Sequence, residues 1–150
     1  MTLGAAGTGT CTVTATQLAA GTYWLTAVYK PGRANYAMST SPSQRLVVNQ
    51  AGTAITPQPV RVTGTGSTRT VRFTAKLTST VTRLPISGQR LTFRLDTTGN
   101  PTCSAATNAS GAATCRVSVS LTADNAAQGY VMTYAGNADY LSSTAPEPES

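Results

Sequence analysis

No histidine occurs in this chain. That absence removes the commonest general base, the commonest metal ligand and any Ser-His-Asp arrangement. Carboxylates are nearly as scarce: Asp96, Asp124, Asp139, Glu147 and Glu149 are all there are. Hydrolysis by acid and base needs two of them facing one cleft. Glu147 and Glu149 sit in a Pro-rich tail, and Asp139 falls in a loop whose counterpart elsewhere carries Asn35, which fits a turn cap better than an acid. No Gly-x-Ser-x-Gly elbow is present, and Gly64 and Gly66 precede a strand pattern rather than a helix, so neither a nucleophile elbow nor a phosphate cradle is expected. The three cysteines contain no close pair, a poor spacing for zinc. No apolar run approaches the roughly 20 residues of a membrane span, and Met1 to Ala6 show no signal-peptide pattern. These absences predict a non-catalytic chain with no cofactor, no bound metal and no membrane span.

Charged residues make up only 11% of the sequence, and Thr, Ser, Ala and Gly take their place. That composition suits strand faces and turns and suits helices poorly. The hydropathy pattern has a period of two. Tyr23, Leu25, Ala27 and Tyr29 form one apolar phase, and Trp24 falls on the opposite one. Val71, Phe73, Ala75 and Leu77 alternate with Arg72, Thr74 and Lys76. Leu91, Phe93 and Leu95 alternate with Arg90, Thr92 and Arg94, and Val117, Val119 and Leu121 with Ser118 and Ser120. Each run can bury one face and wet the other. Turn chemistry separates them at Gly64–Ser67, Pro85–Gly88, Thr98–Pro101 and Asn108–Gly111. Short strands at this spacing predict an all-β sandwich with hairpin and Greek-key links.

An internal repeat, its two copies about 104 positions apart, organises the chain. Gly9-Thr10-Cys11-Thr12-Val13 is echoed by Ala113-Thr114-Cys115-Arg116-Val117. Gly21-Thr22-Tyr23 and Tyr29-Lys30-Pro31-Gly32-Arg33-Ala34-Asn35-Tyr36 are echoed by Gly129-Tyr130 and Tyr134-Ala135-Gly136-Asn137-Ala138-Asp139-Tyr140. Ser39-Thr40-Ser41 stands against Ser142-Ser143-Thr144. A repeat of this size matches one small sandwich rather than a solenoid unit. The expected division is residues 1–49 as the C-terminal part of one unit, 50–53 as linker and 54–150 as a second unit. The tail from Pro146 to Ser150 has no counterpart of Leu46-Val47-Val48, so the closing strand of the second unit is expected to be missing.

Three stretches of the second unit resemble the bacterial immunoglobulin-like (Ig-like) repeats found in tandem on exported proteins. They are Pro85 to Phe93, Cys103 to Cys115 and Tyr134 to Ser143. Gly9 to Val48 of the first unit resembles them too. The resemblance implies an Ig-like β-sandwich with a partial copy of itself ahead of it. It implies a structural or adhesive role at the cell surface or outside the cell, with neighbouring Ig-like repeats as partners. It carries no catalytic or binding motif. A glycan or cell-wall polymer binding module, or an accessory domain of a larger secreted enzyme, is the alternative.

Cys103 and Cys115 flank the Asn108–Gly111 turn, which can fold two strands back until the two Cβ atoms meet at bonding distance. A disulfide there would favour an oxidising compartment. Two small buried hydrophobes are the other reading of the same pair. Cys11, the counterpart of Cys115, is left without a partner because the counterpart of Cys103 would precede Met1. Asn108-Ala109-Ser110 reads as a turn before it reads as a glycosylation triplet. Tyr29, Tyr36, Tyr134 and Tyr140 bracket the repeated loops and are expected to close a sandwich end through hydroxyl bonds to backbone.

Net charge is +6, with nine arginines among the eleven basic residues. They are scattered singly with no basic run, which argues against nucleic acid. Arg72, Lys76, Arg90 and Arg94 share the polar phase of two strands and form a basic stripe if those strands share a sheet. Trp24 and that stripe are the candidate surfaces for a glycan or an anionic surface polymer. A solvated face is the plainer reading of the stripe.

Overall fold

A computed structural model describes residues 3–14, 17–32, 35–97, 99–120 and 129–146. Leu121, Asp124, Arg33, Glu147 and Glu149 lie outside the described residues, so the readings attached to them do not enter below. The described chain is all-β, with twelve strands and no helix. It divides into two units between Gln50 and Ala51.

The first unit is a single bent hairpin. β1 (Gly21–Leu25) pairs antiparallel with β4 (Gln44–Val48), placing Tyr23 opposite Leu46 and Trp24 opposite Arg45. β2 (Val28–Tyr29) pairs with β3 (Ser39–Thr40), with Tyr29 opposite Ser39. Pro42 separates the two ladders because it has no N–H to donate. Between them, the Ser41 hydroxyl accepts a 2.9 Å bond from the Ala27 amide. No described residue of this unit is buried. Residues 9–13 form no strand, although their counterpart lies within a nine-residue one. The physical difference is a partner: 113–117 ladder onto a neighbouring long strand, and 9–13 have none among the described residues.

The second unit holds two four-stranded sheets around one core. The first sheet is built on β7 (Thr68–Ser79). On one side of β7 lies β10 (Ala112–Ser120). On the other side, β5 (Thr53–Pro57) and β6 (Arg61–Thr63) run end to end. Pro57 and Pro59 lie at the break between them, and the register slips by one residue there, the mark of a bulge. The second sheet has the order β12-β11-β8-β9, with β8 (Arg90–Leu95), β9 (Thr102–Ala106), β11 (Tyr130–Tyr134) and β12 (Ser143–Pro146).

Alternation decides which side of each strand is dry. Val71, Phe73, Ala75 and Leu77 of β7 are buried, as are Leu91, Phe93 and Leu95 of β8 and Tyr130, Met132 and Tyr134 of β11. Phe73 and Phe93 come from opposite sheets and stack across the gap, with ring centroids 5.8 Å apart. Tyr130 meets Phe73 at a tilt, at 5.7 Å. Every buried side-chain polar atom among the described residues has a hydrogen-bond partner.

Two expectations change here. Ala51 and Thr53, inside the expected linker, are already bonded into the second unit. Ala51 bridges in parallel to Tyr140, and the Thr53 hydroxyl meets the Leu141 carbonyl at 2.9 Å and Ser143 Oγ at 2.8 Å. The second sheet also carries a closing strand. β12 ladders onto β11 from Tyr134–Ser143 to Val131–Pro146. Pro146 stands at the end of an edge strand, a position where proline is tolerated. The pairing of Tyr134 with Ser143 matches that of Tyr29 with Ser39 in the first unit.

Candidate functional site

The Cys103–Cys115 pair forms a disulfide, with an S–S distance of 2.02 Å and a Cα–Cα distance of 6.1 Å. Its position is more informative than its existence. β9 and β10 are not ladder neighbours. They are edge strands of opposite sheets, so the bond ties the two sheets together. Cys103 stands opposite Phe93 in its sheet, and Cys115 stands opposite Phe73 in the other. The sulfur bridge therefore lies in the same layer as the stacked phenylalanines. Both cysteines are partly buried against that core, while Cys11 is free and exposed.

The turn that sets this geometry is held by Asn108. Its Oδ1 accepts bonds from the Ser110 amide at 3.0 Å, the Ser110 hydroxyl at 2.8 Å and the Ala112 amide at 3.0 Å. Gly111 follows at φ 73°, and a Cβ there would lie 2.6 Å from the Leu77 carbonyl oxygen. Only glycine fits that approach. The Asn108-Ala109-Ser110 triplet is thus an Asx turn packed onto β7.

At the other end, Gln89 collects the repeated loop. Its Oε1 accepts bonds from the Tyr134 hydroxyl at 3.0 Å and the Asn137 amide at 2.9 Å. Asn137 Oδ1 in turn accepts the backbone amides of Asp139 and Tyr140. Asn137 is the turn cap, which leaves its oxygen engaged rather than presented to a cation. Burial first, then the neighbouring Tyr140 and Asp139, hold the Tyr134 pKa above the ordinary tyrosine value. Sequence reasoning placed the Tyr134 hydroxyl on backbone; it donates to a side-chain amide instead. Tyr36 is exposed, and in the first unit the Tyr23 hydroxyl donates to the Ala19 carbonyl.

The expected basic stripe does not form. Arg72 and Lys76 project from β7, and Arg90 and Arg94 from β8, in different sheets. Arg94 is further engaged by Asp96 at 3.0 Å, an exposed pair worth little in stability. What sequence reasoning missed is lateral. Across the first sheet, Arg72 lies directly opposite Arg61 on one side and Arg116 on the other. All three are exposed. Cross-strand register is what brings them together, and no linear motif marks it. Trp24 is 67% exposed on β1, and its apolar-phase neighbour Leu25 is exposed as well, so exposure in this unit does not separate the two phases.

No three His, Cys, Asp or Glu side chains gather among the described residues. No helix among them is long and apolar enough to cross a membrane. Comparison with family models, with curated proteins and with solved structures finds no match for this chain.

Proposed function

We propose that this chain is a non-catalytic spacer, an Ig-like module of an extracellular bacterial repeat array, whose work is to hold distance and carry load. The observation that supports it most is the strand order of the second unit. With β5 and β6 counted as one bulged strand, strands one, two and five share a sheet, and strands three, four, six and seven share the other. This order resembles the seven-stranded Ig constant-type arrangement with its fourth strand moved across, and so supports the Ig-like reading. The matched pairing of Tyr29–Ser39 and Tyr134–Ser143 supports reading the first unit as a second copy of the closing hairpin. An inter-sheet disulfide suits an oxidising, extracellular setting.

The geometry also fits a load. The second unit begins at Ala51, which accepts the Leu141 amide at 2.9 Å and donates to the Asp139 carbonyl at 2.8 Å. These bonds join its first residues in parallel to the loop leading into its last strand. Tension on the two ends loads them in shear, so they must fail together rather than one after another. Single-molecule stretching of the chain should show the second unit yielding in one event. The contour released should be about 35–40 Å shorter in oxidised than in reduced protein, because the bond withholds the residues between Cys103 and Cys115 at about 3.3–3.6 Å each. Stepwise yielding at the lowest forces, with no dependence on reductant, would contradict a mechanical role.

A further inference from the structure

We propose that the outer face of the β5/β6–β7–β10 sheet is a binding surface for an anionic glycan or polyol polymer, centred on Arg61, Arg72 and Arg116. This goes beyond the spacer reading and rests only on sheet register, so each can fail without the other.

Arg61, Arg72 and Arg116 occupy one register line across three adjacent strands. Neighbouring strands lie about 4.8 Å apart, so three guanidinium stems leave the sheet within about 10 Å of one another. Like charges placed directly opposite destabilise a sheet. Such a row is a cost that fold stability does not require, since Thr and Ser fill the neighbouring lines. Lys76 extends the charge along β7, two register lines away. No carboxylate shares the line or those beside it. The flanking positions are Thr63, Thr70 and Ser118 on one side, and Thr74 and Thr114 on the other. Thr74 and Thr114 join hydroxyls at 3.0 Å. The opposite sheet shows no such row among its described residues, because Arg94 is held by Asp96 and stands opposite Thr102, and Arg90 stands opposite Ala106.

The chemistry of this face selects its partner. Guanidinium forks match the oxygens of sulfate, phosphate and carboxylate groups, and a row of them suits a polymer better than one small ion. The flanking hydroxyls can bond sugar or polyol hydroxyls. No aromatic side chain stands on these register lines, so stacked bases find no platform, which disfavours single-stranded nucleic acid. The bulge at Pro57–Val60 leaves Arg61 on the short β6, at the rim of the sheet, where a long chain can enter from the side.

The test is binding of the full chain at low salt to heparin, for sulfate, and to poly(glycerol phosphate), for phosphodiester, by titration calorimetry. The R61Q/R72Q/R116Q variant should lose at least tenfold in affinity for whichever polymer binds. Its plot of log affinity against log salt should flatten by about 2–3 units. The R45Q/R83Q/R90Q variant carries the same net charge and should lose less than threefold. Circular dichroism of both variants checks that the fold is retained. Equal losses in the two variants would reduce the effect to net charge and overturn the proposal. So would wild-type binding to neither polymer, or tighter binding of a DNA duplex or single strand of equal charge.

Discussion

Phe73→Ala lowers the unfolding free energy of the second unit by about 3–5 kcal/mol. Phe73 is fully buried, touches Phe93 and Tyr130, and stands opposite Cys115. Truncation removes aromatic surface from both sheets and leaves a void that the disulfide-tied layer cannot easily close. Domains of this size are stable by about 5–15 kcal/mol, so the variant stands near the edge of folding. Urea denaturation followed by circular dichroism measures the loss. Val62→Ala, at a half-exposed position on β6, should cost under about 1 kcal/mol. Phe93→Ala should be as costly as Phe73→Ala, and the double-mutant cycle should return a coupling of about 0.5–1.5 kcal/mol. Zero coupling would mean that the two rings do not face each other across a shared core.

Removing the disulfide is the second large effect. The bond closes a loop between residues 12 apart in sequence. Loop-closure entropy assigns such a link about 3 kcal/mol, acting mainly on the unfolded chain. The C103A/C115A variant should therefore lose about 3 kcal/mol in urea, and wild type under reductant should move the same way. Cys11→Ser should change nothing measurable, because Cys11 is exposed and unbridged. Because Cys115 stands opposite Phe73, the disulfide and Phe73→Ala effects should not add. A C103A/C115A variant as stable as oxidised wild type would show that the bond does not hold the sheets.

Much of this fold is legible in the sequence. The buried phase of β7 and β8 follows directly from Val71, Phe73, Ala75 and Leu77 and from Leu91, Phe93 and Leu95, because period two allows one dry face. The cysteine pairing followed from turn residues that the structure shows to be an Asx turn closed by Gly111. Strand partnership was not legible. Arg72 and Arg90 share a polar phase in sequence and lie in different sheets, whereas Arg61, Arg72 and Arg116 share no sequence pattern and stand side by side. Phase is local; register depends on which strand the chain returns to. The same gap explains Cys103 and Cys115, whose strands fold back on each other across two sheets rather than within one. It also explains residues 9–13, whose likeness to 113–117 cannot make a strand where no partner strand adjoins them among the described residues.

The unit's identity as a disulfide-stapled two-sheet core is tested most directly by cross-strand nuclear Overhauser effects in the oxidised chain. They should pair Val71 with Val117 in one sheet and Phe93 with Met132 in the other, and Cys103 and Cys115 should meet through side chains alone. A continuous backbone ladder joining β9 to β10 would place both cysteines in one sheet and contradict the account.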